Sequence, residues 1–351
     1  MLPGIDSDSR AEANGSRRLF SLAACLIFFL AAHCAAAVRA ADPSAAQEAA
    51  RPALITTAAG ARLRERPDAG AAEVGRLQLG QVVDELERSA GRSRVGSAED
   101  YWHLVSARGG ARGWVFGGLV APYDPARRDE TYLGLARERL ANPAATFAEL
   151  SELVRFLDRA VKEVTRRPAL AELELARLSA LARSLASFNI EGQEKEPYKS
   201  WTTQRETEIV YSEPAGQWYV RAGLFWDLER KYRGLPLAER AAWEAAQTPL
   251  PGECEGYLPC YVYLETETNG RYLKLYPRGA HASESLAKLA ESLGQIATDL
   301  RGPNPVYEVP RADRASFRRS LASLRAQLAP VPAAKKARAL GLLEEIARRF
   351  R

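Results

Sequence analysis

The chain has 351 residues, enough for two domains, of which 46% are hydrophobic and 26% charged. This balance excludes a wholly disordered chain, because so apolar a sequence can bury cores. The 49 Lys and Arg residues against 44 Asp and Glu give a net charge of +5. So small an excess does not indicate a nucleic-acid-binding protein, and we expect no nucleic acid among its partners.

The first 40 residues have the three parts of a secretory signal peptide. Residues 1–18 are polar, residues 19–38 run without a formal charge, and Val38 and Ala40 are small residues at the two positions that signal peptidase reads. The pattern predicts a signal peptide over 1–40, cleaved near Ala40. We therefore expect a periplasmic or extracellular protein.

Other interpretations of this segment stay open. The apolar run is long enough to span a bilayer, so an uncleaved chain would be membrane-anchored. Residues 22–25 (Leu-Ala-Ala-Cys) resemble a lipoprotein box, although the apolar run continues well beyond Cys25. Residues 16–20 resemble the twin-arginine export motif, so the export route is either the general secretory or the twin-arginine one.

Cysteine usage agrees with export. Beyond the signal segment the chain keeps only Cys254 and Cys260. In an oxidising compartment such a close pair predicts a disulfide, and the alternative is two unpaired buried thiols. Residues 41–52 are Ala-rich and polar, which predicts a flexible linker.

Residues 53–123 are predicted to form a small β-barrel. Short runs of alternating apolar residues are separated by Gly and Pro turns, which favours five or six short strands. The polar, Gly- and Ser-containing stretch from Arg88 to Asp100 is predicted to be a loop.

Four segments of this region resemble the bacterial SH3 (SH3b) domain family. They are residues 63–67 (LRERP), 74–82 (VGRLQLGQV), 102–105 (WHLV) and 110–115 (GARGWV). The resemblance covers about a fifth of the chain. It implies an SH3-like barrel that acts as a binding module, often for cell-wall peptide or glycan.

Aromatic residues on two adjacent strands are the candidate ligand-binding residues. Tyr101, Trp102, Trp114 and Phe116 would supply large contact areas, and Tyr and Trp each add one polar atom. The alternative is that Trp102 and Trp114 belong mainly to the core, since neighbours on a strand face opposite ways.

The rest of the chain is predicted to be helical. Residues 124–191 read as an αα-hairpin, 192–207 as a loop and 208–351 as a helical domain. The fold class is thus α+β: a small SH3-like β-barrel followed by an all-α helical-hairpin domain. Residues 231–242 weakly repeat as 275–286, an offset of 44 that resembles tetratricopeptide-like repeats; an irregular bundle fits equally well.

No catalytic residue, cofactor or metal site is predicted. Beyond the signal segment the chain has two histidines, His103 and His281, and no zinc-protease or serine-hydrolase motif. Glu253 and Glu255 are too few for a hard-metal site. We expect a non-enzymatic envelope protein whose β domain binds peptidoglycan or an envelope protein and whose helical region is a docking surface. It would contact a membrane only if its N-terminal segment stays uncleaved. A carboxylate-based wall hydrolase is the alternative.

Overall fold

The computed structural model describes residues 51–107, 109–188 and 192–350. The predicted signal segment and most of the predicted linker lie outside them. The strands are β1 (Ala53–Thr56), β2 (Ala61–Arg64), β3 (Glu73–Leu77), β4 (Val82–Arg88), β5 (Ser93–Val95), β6 (Ala98–Asp100), β7 (Trp102–Ala107), β8 (Arg112–Phe116), β9 (Val120–Tyr123), β10 (Ile209–Ser212) and β11 (Gln217–Val220).

The helices follow the first nine strands. They are α1 (Arg128–Ala141), α2 (Phe147–Glu163), α3 (Arg167–Ala186), α4 (Tyr198–Gln204), α5 (Ala222–Lys231), α6 (Pro236–Gln247), α7 (Leu258–Glu265), α8 (Arg271–Leu275), α9 (Ala282–Arg301), α10 (Arg314–Gln327) and α11 (Ala333–Arg349). A π-helical turn, Thr266–Gly270, joins α7 to α8. The predicted α+β class, a β domain followed by helices, is confirmed.

The β domain is a seven-stranded antiparallel sheet in the order β3-β2-β8-β7-β4-β1-β9. Buried residues from strands along the whole ladder meet in one cluster, so the sheet wraps around its own core. Those residues are Leu54, Ala61, Leu63, Leu77, Val83, Val105, Ala107 and Val115. The predicted loop between Arg88 and Asp100 instead contains the small hairpin β5–β6, which turns at Gly96 with φ of 61°.

The starts of α2 and α3 are marked by residues that are typical of helix N-termini. Thr146 and Glu149 form a reciprocal capping box at the start of α2, each satisfying a backbone N–H of the other. Pro168 stands in the first turn of α3, where its missing N–H costs nothing. The apolar faces of α2 and α3 pack against each other, and α1 adds a third helix to the segment 124–191, where the sequence predicts an αα-hairpin.

Two segments differ from the prediction. The expected loop 192–207 contains α4, whose Trp201 is buried and donates from Nε1 to Ser184 Oγ at 3.1 Å. The region expected to be all-helical contains the hairpin β10–β11, with Ile209 and Val220 buried and paired in register. Both small elements are held by buried apolar anchors within otherwise polar sequence.

The two copies of the weak repeat differ in their packing. The helices α5 and α6 pack on each other, and α5 is capped at Tyr232. In the second copy, α8 is capped at Tyr276, but α9 packs mainly against α11. Both copies therefore have a helix that is capped at a tyrosine and followed by a turn, but only the first copy forms a hairpin of two helices packed on each other.

The β domain and the helices share one core. Ile55 and Leu79 belong to the same buried cluster as the helical residues, and Ala50–Arg351 forms one compact unit. Glu152 on α2 accepts hydrogen bonds from the backbone N–H groups of Leu79 at 2.7 Å and Gly60 at 3.1 Å. Arg159, two turns further along α2, donates to the Leu79 carbonyl at 2.8 Å. The β domain is therefore packed against α2 and is not merely connected to the helices by a linker.

The predicted disulfide between Cys254 and Cys260 is present. It ties the loop before α7 to the first turn of that helix, and Gly252 and Gly256 in the preceding segment take positive φ angles. In the chain-entropy model, closing so short a loop stabilises the fold by roughly 2 kcal/mol. Within the part of the chain that the structure describes, no helix is both long and apolar enough to cross a membrane.

Candidate binding pocket on the β domain

Two of the predicted aromatic residues form a pair on the outer face of the sheet. Trp102 on β7 and Phe116 on β8 are register partners, and their rings meet edge to face with centroids 5.5 Å apart. Val105 and Val115 lie an odd number of residues from Trp102 and Phe116 on the same strands, so their side chains point the other way, into the barrel core. Trp102 is 3% and Phe116 4% exposed, although both lie outside that core cluster.

The aromatic pair forms one wall of a pocket of about 230 Å³. Val95 of the β5–β6 hairpin and Leu119 also line it, so the segment predicted to be a loop supplies part of the wall. The remaining lining comes from the turn before β2, from β2 itself and from the turn after it, through residues Ala59, Gly60, Ala61, Arg62, Arg64 and Ala69.

The two charged side chains that line this pocket are arginines. Arg62 and Arg64 are two residues apart on β2 and therefore share a face, opposite the buried Leu63. Arg64 donates to the Ala71 carbonyl at 2.9 Å, and Arg62 lies 3.4 Å from the Glu73 carboxylate. The pocket therefore favours a ligand with negative charge.

The Glu73 carboxylate is already engaged by a second arginine. A hydrogen bond of 2.6 Å from Arg76 lowers the pKa of Glu73, and the charges of Arg76, Arg62 and Arg64 act in the same direction. Glu73 therefore neutralises only part of the positive charge at the pocket.

The indole of Trp102 carries a donor without an acceptor. Its Nε1 is buried and has no hydrogen-bond partner among the described residues. Leaving such a donor unpaired costs about 1–3 kcal/mol.

The other two predicted aromatics are placed differently. Tyr101 precedes β7, and the guanidinium carbons of Arg88 and Arg92 lie 5.2 and 5.3 Å from its ring centroid. Its ring is thus occupied by arginines of the chain itself. Trp114 pairs with Leu104 on the outer face and is half-buried; it does not line the pocket. Of the four candidates, the structure brings Trp102 and Phe116 together.

The histidines have partners of their own. His103 Nδ1 lies 2.7 Å from the Glu85 carboxylate, and His281 stacks on Trp243 with ring centroids 4.2 Å apart. Across residues 51–107, 109–188 and 192–350, no group of three or more His, Cys, Asp or Glu residues is arranged to hold a metal ion.

Sequence reasoning missed Arg62, Arg64 and Val95 as pocket residues. The two arginines alternate with Ala61 and Leu63 on a predicted strand, but alternation alone does not show that they lie beside the aromatic pair. The signal that could have found them is a pair of arginines two residues apart on one strand, which places two positive charges on the same face. The position of Val95 depends on the β5–β6 hairpin, which was not predicted because the composition of residues 88–100 is that of a polar loop.

Comparison with known families identifies the β domain. The model of the bacterial SH3 domain matches residues 59–121, from the turn after β1 into β9. Comparisons with curated proteins and with solved structures gave no significant match. The matched region contains Trp102, Phe116 and the arginines of β2. The chain therefore carries a bacterial SH3 domain at residues 59–121, joined to a helical body.

Proposed function

We propose that this protein is an exported, non-enzymatic component of the cell envelope, whose SH3 domain binds peptidoglycan through its stem peptide. The observation that carries the proposal is the pocket between the Trp102–Phe116 pair and the arginines of β2. Stem peptides present carboxylates and amide carbonyls. These groups would pair with the guanidinium groups of Arg62 and Arg64.

Two further features support export. Residues 1–40 carry the pattern of a secretory signal peptide, and the Cys254–Cys260 disulfide is typical of an oxidising compartment. Peptidoglycan is a ligand that only an exported chain would meet.

The composition of the pocket favours binding over hydrolysis. A carboxylate-based wall hydrolase needs two acidic side chains flanking the bond to be cut. The residues that line the SH3 pocket include no Asp or Glu, and no Ser, Cys or His. A wider groove of about 590 Å³ between α9 and α11 is lined by one carboxylate, Glu291, and by no aromatic side chain.

Co-sedimentation with purified sacculi tests the proposal on the full chain. Ala69 is exposed at the pocket rim, so Ala69→Trp would fill the entrance without disturbing the core. We expect retention of the unaltered protein and its loss in Ala69→Trp. Ala72→Trp, at a nearby exposed position that does not line the pocket, is the matched control and should be retained.

Three outcomes would contradict the proposal. They are absence of retention of the unaltered protein, equal retention of Ala69→Trp, and release of soluble muropeptides during the incubation. The last of these would favour the wall hydrolase. Replacing Arg62 and Arg64 together by Gln should weaken binding by about 100-fold or more, because charge-assisted hydrogen bonds contribute about 1.5–3 kcal/mol each.

A further inference from the structure

The C-terminal helical pair carries more positive charge than the whole chain. Residues 311–350 contain ten Lys and Arg against three Asp and Glu, a net charge of +7, compared with +5 for all 351 residues. Eight of the ten basic residues are arginine. The excess of base in this protein is therefore concentrated in α10, α11 and the turn that precedes them.

Four of these arginines form a stripe along α10 and the helical turn that precedes it. Arg311, Arg314, Arg318 and Arg325 follow one another at intervals of three, four and seven residues, which places them on one side of the helix. The adjoining side carries the apolar residues that bury α10 in the core: Phe317, Leu321 and Leu324. We call these four residues the arginine stripe.

The end of α11 adds two more cations beside the start of the stripe. The Phe350 ring meets that of Phe317 with centroids 5.4 Å apart, and the guanidinium carbon of Arg314 lies 5.9 Å from the Phe350 centroid. The exposed residues Arg348 and Arg349 immediately precede Phe350. Six arginines thus gather around one side and one end of the helical pair.

These charges are not neutralised within the described residues. None of the six lies within 4.0 Å of a carboxylate in the part of the chain that the structure describes. Two of the three acids of the segment have other partners: Asp313 accepts from the Tyr257 hydroxyl at 3.0 Å, and Glu345 pairs with Arg301 at 2.7 Å. The surface therefore offers guanidinium groups that are free to bind an anion.

The side chains between the arginines indicate what kind of anion. Ala315, Ser316, Ala322 and Ser323 are small or polar, and none of the large exposed hydrophobic residues of the described chain lies in 311–350. A protein partner usually requires buried aromatic or aliphatic anchors, which this surface does not provide. A row of planar guanidinium groups without anchors suits a charged surface of phosphates, which arginine binds in a bidentate manner.

We propose that the arginine stripe, with Arg348 and Arg349, docks this protein onto the anionic phospholipid headgroups of a membrane. The attachment is electrostatic and peripheral, and it does not depend on the N-terminal segment. It is also separate from the SH3 pocket, so the same chain would contact the wall through one surface and a membrane through another.

Vesicle co-sedimentation of the full chain tests this inference. We expect binding to vesicles rich in phosphatidylglycerol, little binding to phosphatidylcholine vesicles, and release at high salt, where charges are screened. The exposed residues Arg311, Arg318 and Arg325 would be replaced together by Gln. At about fivefold per arginine, the affinity should fall by about 100-fold.

A matched variant controls for net charge. Arg112, Arg137 and Arg278 are also exposed and have no carboxylate partner within 4.0 Å among the described residues, so replacing these three by Gln removes the same charge elsewhere. This control should bind vesicles as the unaltered protein does. Equal loss in both triple variants, unchanged binding of the stripe variant, or equal binding to both kinds of vesicle would overturn the inference.

The two proposals fail separately. The stripe variant should still sediment with sacculi, and Ala69→Trp should still bind phosphatidylglycerol vesicles. If loss of the stripe abolished sedimentation with sacculi and left vesicle binding intact, the stripe would be a wall-binding surface, and the membrane inference would be wrong.

Discussion

Gly80 lies where the SH3 domain meets α2. Its φ angle is 72°, and its backbone N–H donates to the Thr56 carbonyl at 2.8 Å. A Cβ atom at this position would lie 2.2 Å from the Phe156 ring, which is itself buried. Both the backbone conformation and the contact therefore require glycine.

Replacing Gly80 by Ala should destabilise the protein by about 2–4 kcal/mol, because strain in the backbone adds to overpacking against Phe156. Chemical denaturation of the full chain measures this. Gly91→Ala is the control: Gly91 is exposed, its φ is not positive and nothing lies within 4 Å of its added Cβ. Its effect should stay within about 0.5 kcal/mol, and a similar loss in both variants would refute the account of Gly80.

Glu265 ends α7 at the π-helical turn. Burial raises its pKa, and the hydrogen bonds of Asn269 and Ser292 to its carboxyl group offset this only in part. A glutamate with a raised pKa in the folded state contributes stability below the pKa of an unfolded glutamate. That contribution is lost as the pH rises through the folded value.

The Glu265→Gln variant should therefore be more stable than the unaltered protein at pH 8 and should match it near pH 4. The amide oxygen of Gln still accepts from Asn269, whose Nδ2 lies 3.0 Å from the carboxylate. Denaturant midpoints across this pH range provide the measurement. Glu138→Gln, on the exposed side of α1, should leave the pH dependence unchanged; a Glu265→Gln curve parallel to that of the unaltered protein would exclude this role of Glu265.

At the scale of elements, a carboxylate on α2 joins three segments. Asp158 accepts from Arg177 on α3 and from Arg205, which follows α4, each at 2.5 Å. Glu208 completes the network with contacts of 2.6 Å to Arg177 and 3.1 Å to Arg205. Burial alone would raise the pKa of Asp158, but the hydrogen bonds from Arg205 and Arg177 outweigh it, so the pKa is lowered.

The Asp158→Asn variant should lose about 2 kcal/mol at neutral pH, because two partly buried guanidinium groups would then share one carboxylate. A lowered folded pKa contributes stability above the pKa of an unfolded aspartate, and this is lost as the pH falls through the folded value. The difference between the proteins should thus shrink in acid. Asp227→Asn, in an exposed pair with Arg230, should change stability by less than about 0.5 kcal/mol; a loss that was constant with pH would contradict this account.

Sequence patterns predicted the larger elements and missed the smaller ones. The stripe of Leu150, Leu153 and Leu157 predicts α2, and the Gly-rich turns and short alternating runs predict the β domain. The hairpin β10–β11 was missed although its strands flank a Pro-Ala-Gly turn, because the surrounding helical pattern dominated. The pocket depends on which loop covers Trp102, and periodicity carries no information on long-range packing of that kind.

At the scale of the whole molecule, the SH3 domain and the helices do not have separate cores. Ile55 of β1 and Leu79 pack among helical residues, and the α1 residue Arg139 donates to the Thr57 carbonyl. The boundary that the sequence places near residue 123 thus separates two kinds of secondary structure, while the apolar contacts continue across it.

The full chain should therefore unfold in one cooperative transition. Hydrogen exchange measured along a denaturant series should show β1, β4 and α2 losing protection at the same concentration. Loss of protection in the strands well before α2 would show that the SH3 domain is an independent folding unit.

The burial of Ile55 and Leu79 among helices has a practical consequence for finding the ligand. A molecule that binds the native pocket and not the unfolded chain stabilises the native state by RT ln(1 + [L]/Kd). If the SH3 domain and the helices unfold together, the helices are stabilised by the same amount. The signal of the abundant helices at 222 nm would then report occupancy of a small β module that contributes almost nothing to it. Libraries of wall fragments can be screened by thermal shift on the unlabelled chain.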